Sequence, residues 1–67
     1  MVVKEVFQTE QGEPAIISVR TFGSHAILAW ESHASTREAM LSLSQLNALA
    51  EMASFIHQVI RREFPEL

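Results

Sequence analysis

The residues of this chain that carry reactive groups are three histidines, eight glutamates and seven serines, while cysteine and aspartate are missing. No two of His25, His33 and His57 have the i, i+4 spacing with which a helix holds a metal ion. Without cysteine, no thiolate completes a ligand set. The sequence therefore predicts no metal site, and the histidines are interpreted as two turn residues and one helix-boundary residue.

Serine catalysis also lacks its supporting groups. The chain has no Gly-x-Ser-x-Gly elbow and no aspartate to orient a histidine. Gly12 and Gly23 stand apart from each other, so no glycine-rich loop is present to bind phosphate. We expect no catalytic residue, no cofactor and no enzymatic activity. The remaining enzymatic alternative is a site that forms only between two copies of the chain.

Three segments before the middle of the chain have the pattern of strands, at residues 2–8, 15–22 and 25–32. Gly12 and Pro14 supply a turn after the first of them. Gly23-Ser24 separates the next two, and glycine at the first loop position suits a type II′ hairpin turn. With that turn, Ile17 faces Trp30 and Val19 faces Leu28 on one apolar face, as a half-buried antiparallel pair requires.

The next segment, residues 36–43, allows two interpretations. Ser35 and Glu38 fit a capping box that would begin a helix. At period two, however, Ala39, Leu41 and Leu43 share one face, and we prefer a fourth strand. Ser44 is then the predicted N-cap of a helix over residues 45–64, which ends before Pro65.

The predicted helix carries two apolar stripes side by side. One contains Leu46, Leu49, Ile56 and Ile60 and is expected to cover the sheet. The predicted core also contains Ala53 of the helix and six residues of the strands: Ile17, Val19, Leu28, Trp30, Leu41 and Leu43. The second stripe consists of Ala48, Met52, Phe55 and Val59, and one small sheet does not easily cover both.

Length and composition favour association. The chain has 67 residues, 48% of them hydrophobic and 19% charged, with a net charge of −3. A single domain of this size, residues 1–67, hides only about 60% of its unfolded surface. The chain has no cysteine to form disulfides, so we expect self-association to supply the stability that the small core lacks. We predict an α+β fold, an antiparallel β-meander of three or four strands followed by one long C-terminal α-helix packed on the sheet, forming a homodimer through Ala48, Met52, Phe55 and Val59.

The second sheet face gives an alternative. Arg20, Phe22 and His25 mix basic and aromatic side chains, and Arg37 is expected to join them from the fourth strand. Such a face can stack the bases of single-stranded nucleic acid. The chain is mildly acidic overall, so the electrostatic attraction to nucleic acid is weak and this partner is less favoured.

Several strands followed by one capped helix form an arrangement that is similar in outline to two groups of proteins. The strands and the helix are joined here through Leu41-Ser42-Leu43-Ser44-Gln45-Leu46. One is the family of single-strand-binding transcriptional coactivators related to positive cofactor four, in which the helix forms the dimer. The other comprises the small phage inhibitors of uracil-DNA glycosylase. The chain has few basic strand residues and only mild acidity, so no functional residue is carried over from either group.

These observations predict a small regulatory or inhibitory protein without chemistry of its own. It is expected to bind itself and an unidentified protein target, with single-stranded nucleic acid as the alternative partner. No apolar run reaches the roughly 18 residues of a membrane span, and no basic region precedes an apolar stretch at the N-terminus. We therefore expect a cytoplasmic protein that does not bind membranes. A phage or mobile-element setting is compatible with so compact a chain.

Overall fold

Four strands and one helix follow one another in a computed structural model that describes residues 1–67. The strands are β1 (Val2–Gln8), β2 (Pro14–Phe22), β3 (His25–Ser32) and β4 (Thr36–Leu41), and the helix is α1 (Leu43–Glu63). The strands form one antiparallel sheet in the order β1-β2-β3-β4. The predicted α+β fold, an antiparallel meander followed by one long C-terminal helix on the sheet, is confirmed.

The β2–β3 hairpin has the predicted pairing. Val19 lies opposite Leu28, and Ile17 lies opposite Trp30. Gly23 has a φ of 59°, and no residue other than glycine has a positive φ. Because a type I′ turn requires positive φ at both central positions, and only Gly23 has it, the turn is of the predicted II′ kind.

Residues 36–41 form a strand, so the alternative of a helix from Ser35 does not occur. The strand predicted over residues 36–43 ends at Leu41, and the helix predicted over residues 45–64 spans Leu43–Glu63. The predicted cap at Ser44 was wrong. Ser42 is the N-cap: its hydroxyl accepts a hydrogen bond from the Gln45 amide at 3.1 Å, and the Gln45 side chain accepts one from the Ser42 amide at 2.9 Å. This reciprocal capping box satisfies two amide donors and fixes the helix start two residues earlier.

Register and strand alternation give the sheet two distinct faces. The helix-side face carries Val3, Ile17, Val19, Leu28 and Trp30, and α1 begins above it. The open face carries the alternate residues of the same strands, among them Val6, Ile16, Arg20 and Ile27. Only Ala15, Ala26 and Ile27 are buried. Neither face therefore has a core of its own within one chain.

The helix contacts only β3 and β4, and the expected core along its length does not form. Leu46 and Leu49 are half-buried near its start, as are Ile17, Val19, Leu28 and Leu41 in the sheet. The other predicted core residues are exposed: Trp30, Leu43, Ala53, Ile56 and Ile60. At about 1.5 Å per residue a helix of this length extends about 30 Å. The later turns of α1 therefore extend beyond the sheet, and no other element of the chain covers them.

Candidate protein-binding surfaces

The later turns of α1 carry an exposed apolar surface. In the predicted interface stripe, Phe55 is 65% exposed, Met52 and Ala48 are exposed, and Val59 is half-buried. The stripe expected to cover the sheet is also open, because Ile56 is 55% exposed and Ile60 is exposed as well. Both stripes therefore belong to one continuous surface, which the helical wheel described as two surfaces with different roles.

A groove continues this surface toward the sheet. It has a volume of about 450 Å³ and lies between the first turn of α1 and the helix-side face. Leu43 and Leu46 line it from the helix, and Val3, Val19 and Ala26 line it from the strands. Leu43 is exposed although its neighbours are apolar. Leu46 lies both in this cleft and on the apolar side of α1, so the cleft adjoins the α1 surface.

The dimensions of the chain measure how much surface is left uncovered. Its accessible surface is 5757 Å², whereas a compact monomer of this mass exposes about 4,200 Å². Its radius of gyration is 14.0 Å, against about 11 Å for a compact domain of this length. An excess of about 1,500 Å² thus remains on a chain of 7.5 kDa by the same scaling. Fifteen large hydrophobic residues, of a kind that a folded monomer normally buries, are exposed and contribute to this excess.

The residues proposed for nucleic acid do not all meet on one face. Arg20, Phe22 and His25 lie on the open face, where Phe22 is exposed and opposes His25 at the hairpin turn. Arg37 lies on the helix-side face instead, opposite Trp30. The expected grouping of Arg37 with Arg20 was therefore wrong, because the β3–β4 register places Glu38 on the open face.

Charges on the open face are balanced. The Arg20 guanidinium donates a hydrogen bond to Glu38 Oε2 at 3.0 Å, and both side chains remain substantially exposed. Lys4 shares a shallow depression with Glu31 on the same face. Two cations therefore stand with two carboxylates, which removes most of the attraction that a phosphate backbone requires.

The three histidines lie in different parts of the fold, with different neighbours. His25 Nδ1 is 3.2 Å from the Ser24 hydroxyl, and His33 Nδ1 is 3.1 Å from Glu13 Oε2 in an exposed pair. His57 is exposed on α1. No group of three or more histidine, aspartate or glutamate side chains is placed to hold a metal ion.

Strand β1 forms one edge of the sheet, and all seven of its residues are exposed. Val2 and Val6 lie on the open face, and Val3 and Phe7 lie on the helix-side face. The predicted meander already implies this edge position, because its consecutive strands pair in chain order, and the strand order of the sheet agrees with it.

Comparison with protein-family models, with curated protein sequences and with solved structures found no significant match. Helix α1 lacks the sustained hydropathy that a bilayer-crossing helix requires.

Proposed function

We propose that this chain is a homodimeric, non-enzymatic binding protein that regulates or inhibits another protein. The observation that supports the dimer is the uncovered surface of α1 and the adjoining cleft. If the interface covered the whole excess of about 1,500 Å² of each copy, which includes surface outside α1, it would bury about 3,000 Å² in total, the size of an obligate homodimer interface. Its apolar composition also fits that class.

The occupant of the cleft is proposed to be the second copy, because a two-fold axis lets one surface cover its equivalent. The interface would contain the stripe Ala48, Met52, Phe55 and Val59, joined by Ile56 and Ile60. The polar side of α1, including Asn47 and Glu51, remains in solvent, where the Asn47 amide donates a hydrogen bond to Glu51 Oε1 at 3.2 Å. A single polar side on an otherwise apolar helix is the pattern expected at such an interface.

Sedimentation velocity across the micromolar range tests the dimer directly. We expect one species of twice the chain mass, together with a thermal midpoint that rises with protein concentration, since association stabilises only the folded state. A monomer that unfolds cooperatively, with a thermal midpoint independent of protein concentration, would overturn the proposal, because such a monomer is stable without association.

Single-stranded nucleic acid is the second candidate partner, favoured by the exposed Phe22 beside Arg20 on the open face. Aromatic side chains next to a cation stack bases with little sequence preference. Retention on an immobilised oligonucleotide at low salt that weakens as salt rises would support it. Absence of retention at low salt would leave protein binding as the function. The cytoplasmic setting and the phage or mobile-element origin stay predictions.

A further inference from the structure

The free edge of β1 offers an unpaired row of backbone groups. The Thr21 amide donates to the Met1 carbonyl at 3.0 Å, and the Thr9 amide donates to the Glu13 carbonyl at 2.8 Å. These two pairs extend the β1–β2 register, which runs from Val2 opposite Arg20 to Gln8 opposite Pro14, by one position at each end. Because bonded and non-bonded pairs alternate in an antiparallel ladder, the odd-numbered residues of β1 bond to β2. The amides and carbonyls of Val2, Lys4, Val6 and Gln8 therefore point away from the sheet.

Of the devices that usually block strand addition, this edge has only its central charges, Lys4 and Glu5. The pairing with β2 is continuous from Val2 to Gln8, with no bulge, and β1 contains no proline. Its side chains are apolar except for Gln8 at its end and the two central residues, Lys4 on the open face and Glu5 on the helix-side face. Val6 is 66% exposed although it is a β-branched residue of a strand. An edge of this length and character is a template for another strand.

A second copy is a poor occupant of the edge. Two-fold symmetry keeps equivalent residues on the same side of the joined sheet, and the symmetric register that pairs the whole strand sets Glu5 against Glu5 of the other copy. Like charges directly opposite each other destabilise a pair of strands. The central charges thus disfavour self-pairing along the full strand, whereas an asymmetric partner can complement both of them.

We propose that the β1 edge binds an extended segment of another protein by antiparallel strand addition. This inference rests on the proposed function, for which it supplies the mode of target binding. The segment would carry a basic residue opposite Glu5 and, directly after it, an acidic residue opposite Lys4. Two apolar residues would flank this pair on each side, next to the exposed valines and Phe7. The backbone bonds supply affinity, and the charge order selects the segment.

The test uses two synthetic peptides and the isotope-labelled protein. The first peptide has the order threonine, isoleucine, valine, arginine, glutamate, valine, isoleucine, and the second has arginine and glutamate exchanged. In amide NMR spectra we expect the first peptide to shift the outward amides of Val2, Lys4, Val6 and Gln8 more than the inward amides of β1. We expect the second peptide to bind at least fivefold more weakly. The double variant Lys4→Glu, Glu5→Lys should reverse this preference.

Val6→Pro removes one outward amide without removing a bond to β2, since Val6 belongs to a non-bonded pair with Ile16. Val6→Thr is the matched control, because it keeps the amide and the β-branched shape. We expect the proline variant to weaken binding of the first peptide about five- to tenfold, as one net hydrogen bond predicts. The threonine variant should stay within about threefold of wild type on the same scale.

Sedimentation of the same samples separates this inference from the dimer. A dimer that binds neither peptide, or that binds both equally, overturns strand addition while leaving the dimer intact. A monomer that binds the first peptide selectively supports strand addition and overturns the dimer. Loss of the dimer in Val6→Pro but not in Val6→Thr would show that the edge joins two copies, and would overturn the inference.

Discussion

Replacing Phe55 with glutamate is the most direct perturbation of the proposed dimer. Phe55 is 65% exposed in the single chain. A phenylalanine side chain offers about 200 Å² for burial, so about 130 Å² of this ring is left for a partner to cover. At about 25 cal/mol per Å², covering it contributes about 3 kcal/mol. Two-fold symmetry places the ring in the interface twice, which brings the total to about 6 kcal/mol.

A loss of about 6 kcal/mol raises a dissociation constant about 10⁴-fold. The introduced carboxylate adds a desolvation penalty in the same direction. Glutamate is a good helix former, so the substitution does not weaken α1 through intrinsic propensity. We therefore expect Phe55→Glu to be monomeric, or unfolded, at micromolar concentrations where the wild type is dimeric.

Sedimentation equilibrium gives the dissociation constant, and far-ultraviolet circular dichroism reports whether the helix persists. Gln58→Glu is the matched control, since it adds the same charge to an exposed position on the polar side of the same helix. We expect it to change the dissociation constant by less than about tenfold, in line with an exposed charge at an interface rim. An unchanged dimer in Phe55→Glu would refute the assignment of this surface, and an equal loss in both variants would point to net charge as the cause.

Three further predictions concern the stability of the fold at a fixed protein concentration. Ser42→Ala should lower the free energy of unfolding by about 1 kcal/mol, because the capping box loses its hydroxyl acceptor, whereas Ser44→Ala should change it by less than about 0.5 kcal/mol; equal effects in thermal melts would place the cap elsewhere. Gly23→Ala should destabilise by about 1 kcal/mol or more, since its φ of 59° is unfavourable for a residue with a Cβ, and an unchanged denaturant midpoint would contradict the assigned turn. Ile27→Ala should cost about 2 kcal/mol because Ile27 is one of three buried residues, while Glu38→Gln should cost less than about 1 kcal/mol because its ion pair with Arg20 is exposed; chemical denaturation in which Glu38→Gln has the larger effect would contradict this order.

The hairpin was predictable from sequence because local chemistry and side-chain pattern agree there. Gly23 supplies the positive φ at the first turn position, and only one register brings Val19 opposite Leu28 on an apolar face. The cap was less well defined by single residues, because Ser42 and Ser44 both precede an apolar run. The distinguishing signal was present three residues after Ser42, where Gln45 completes a capping box.

The position of Arg37 was not predictable in the same way. Alternation within β4 shows only that Arg37 and Glu38 point to opposite faces. Which of them shares a face with Arg20 depends on the length of the connection after β3 and on the register that it allows. That register places Glu38 next to Arg20 and so turns a proposed basic surface into a neutral one.

The sequence by itself determined the order of strands and helix, the turn at Gly23 and the apolar excess of α1, because each depends on residue type and on spacing within a short window. Only the tertiary structure decided how much of the helix packs on the sheet. Contact between α1 and the sheet is confined to β3 and β4 and depends on the path of the helix after Ser42, a long-range property that the periodicity of the helix does not contain. For the same reason, helical periodicity correctly marks Ile56 and Phe55 as apolar positions, while only the tertiary structure leaves both exposed for a partner.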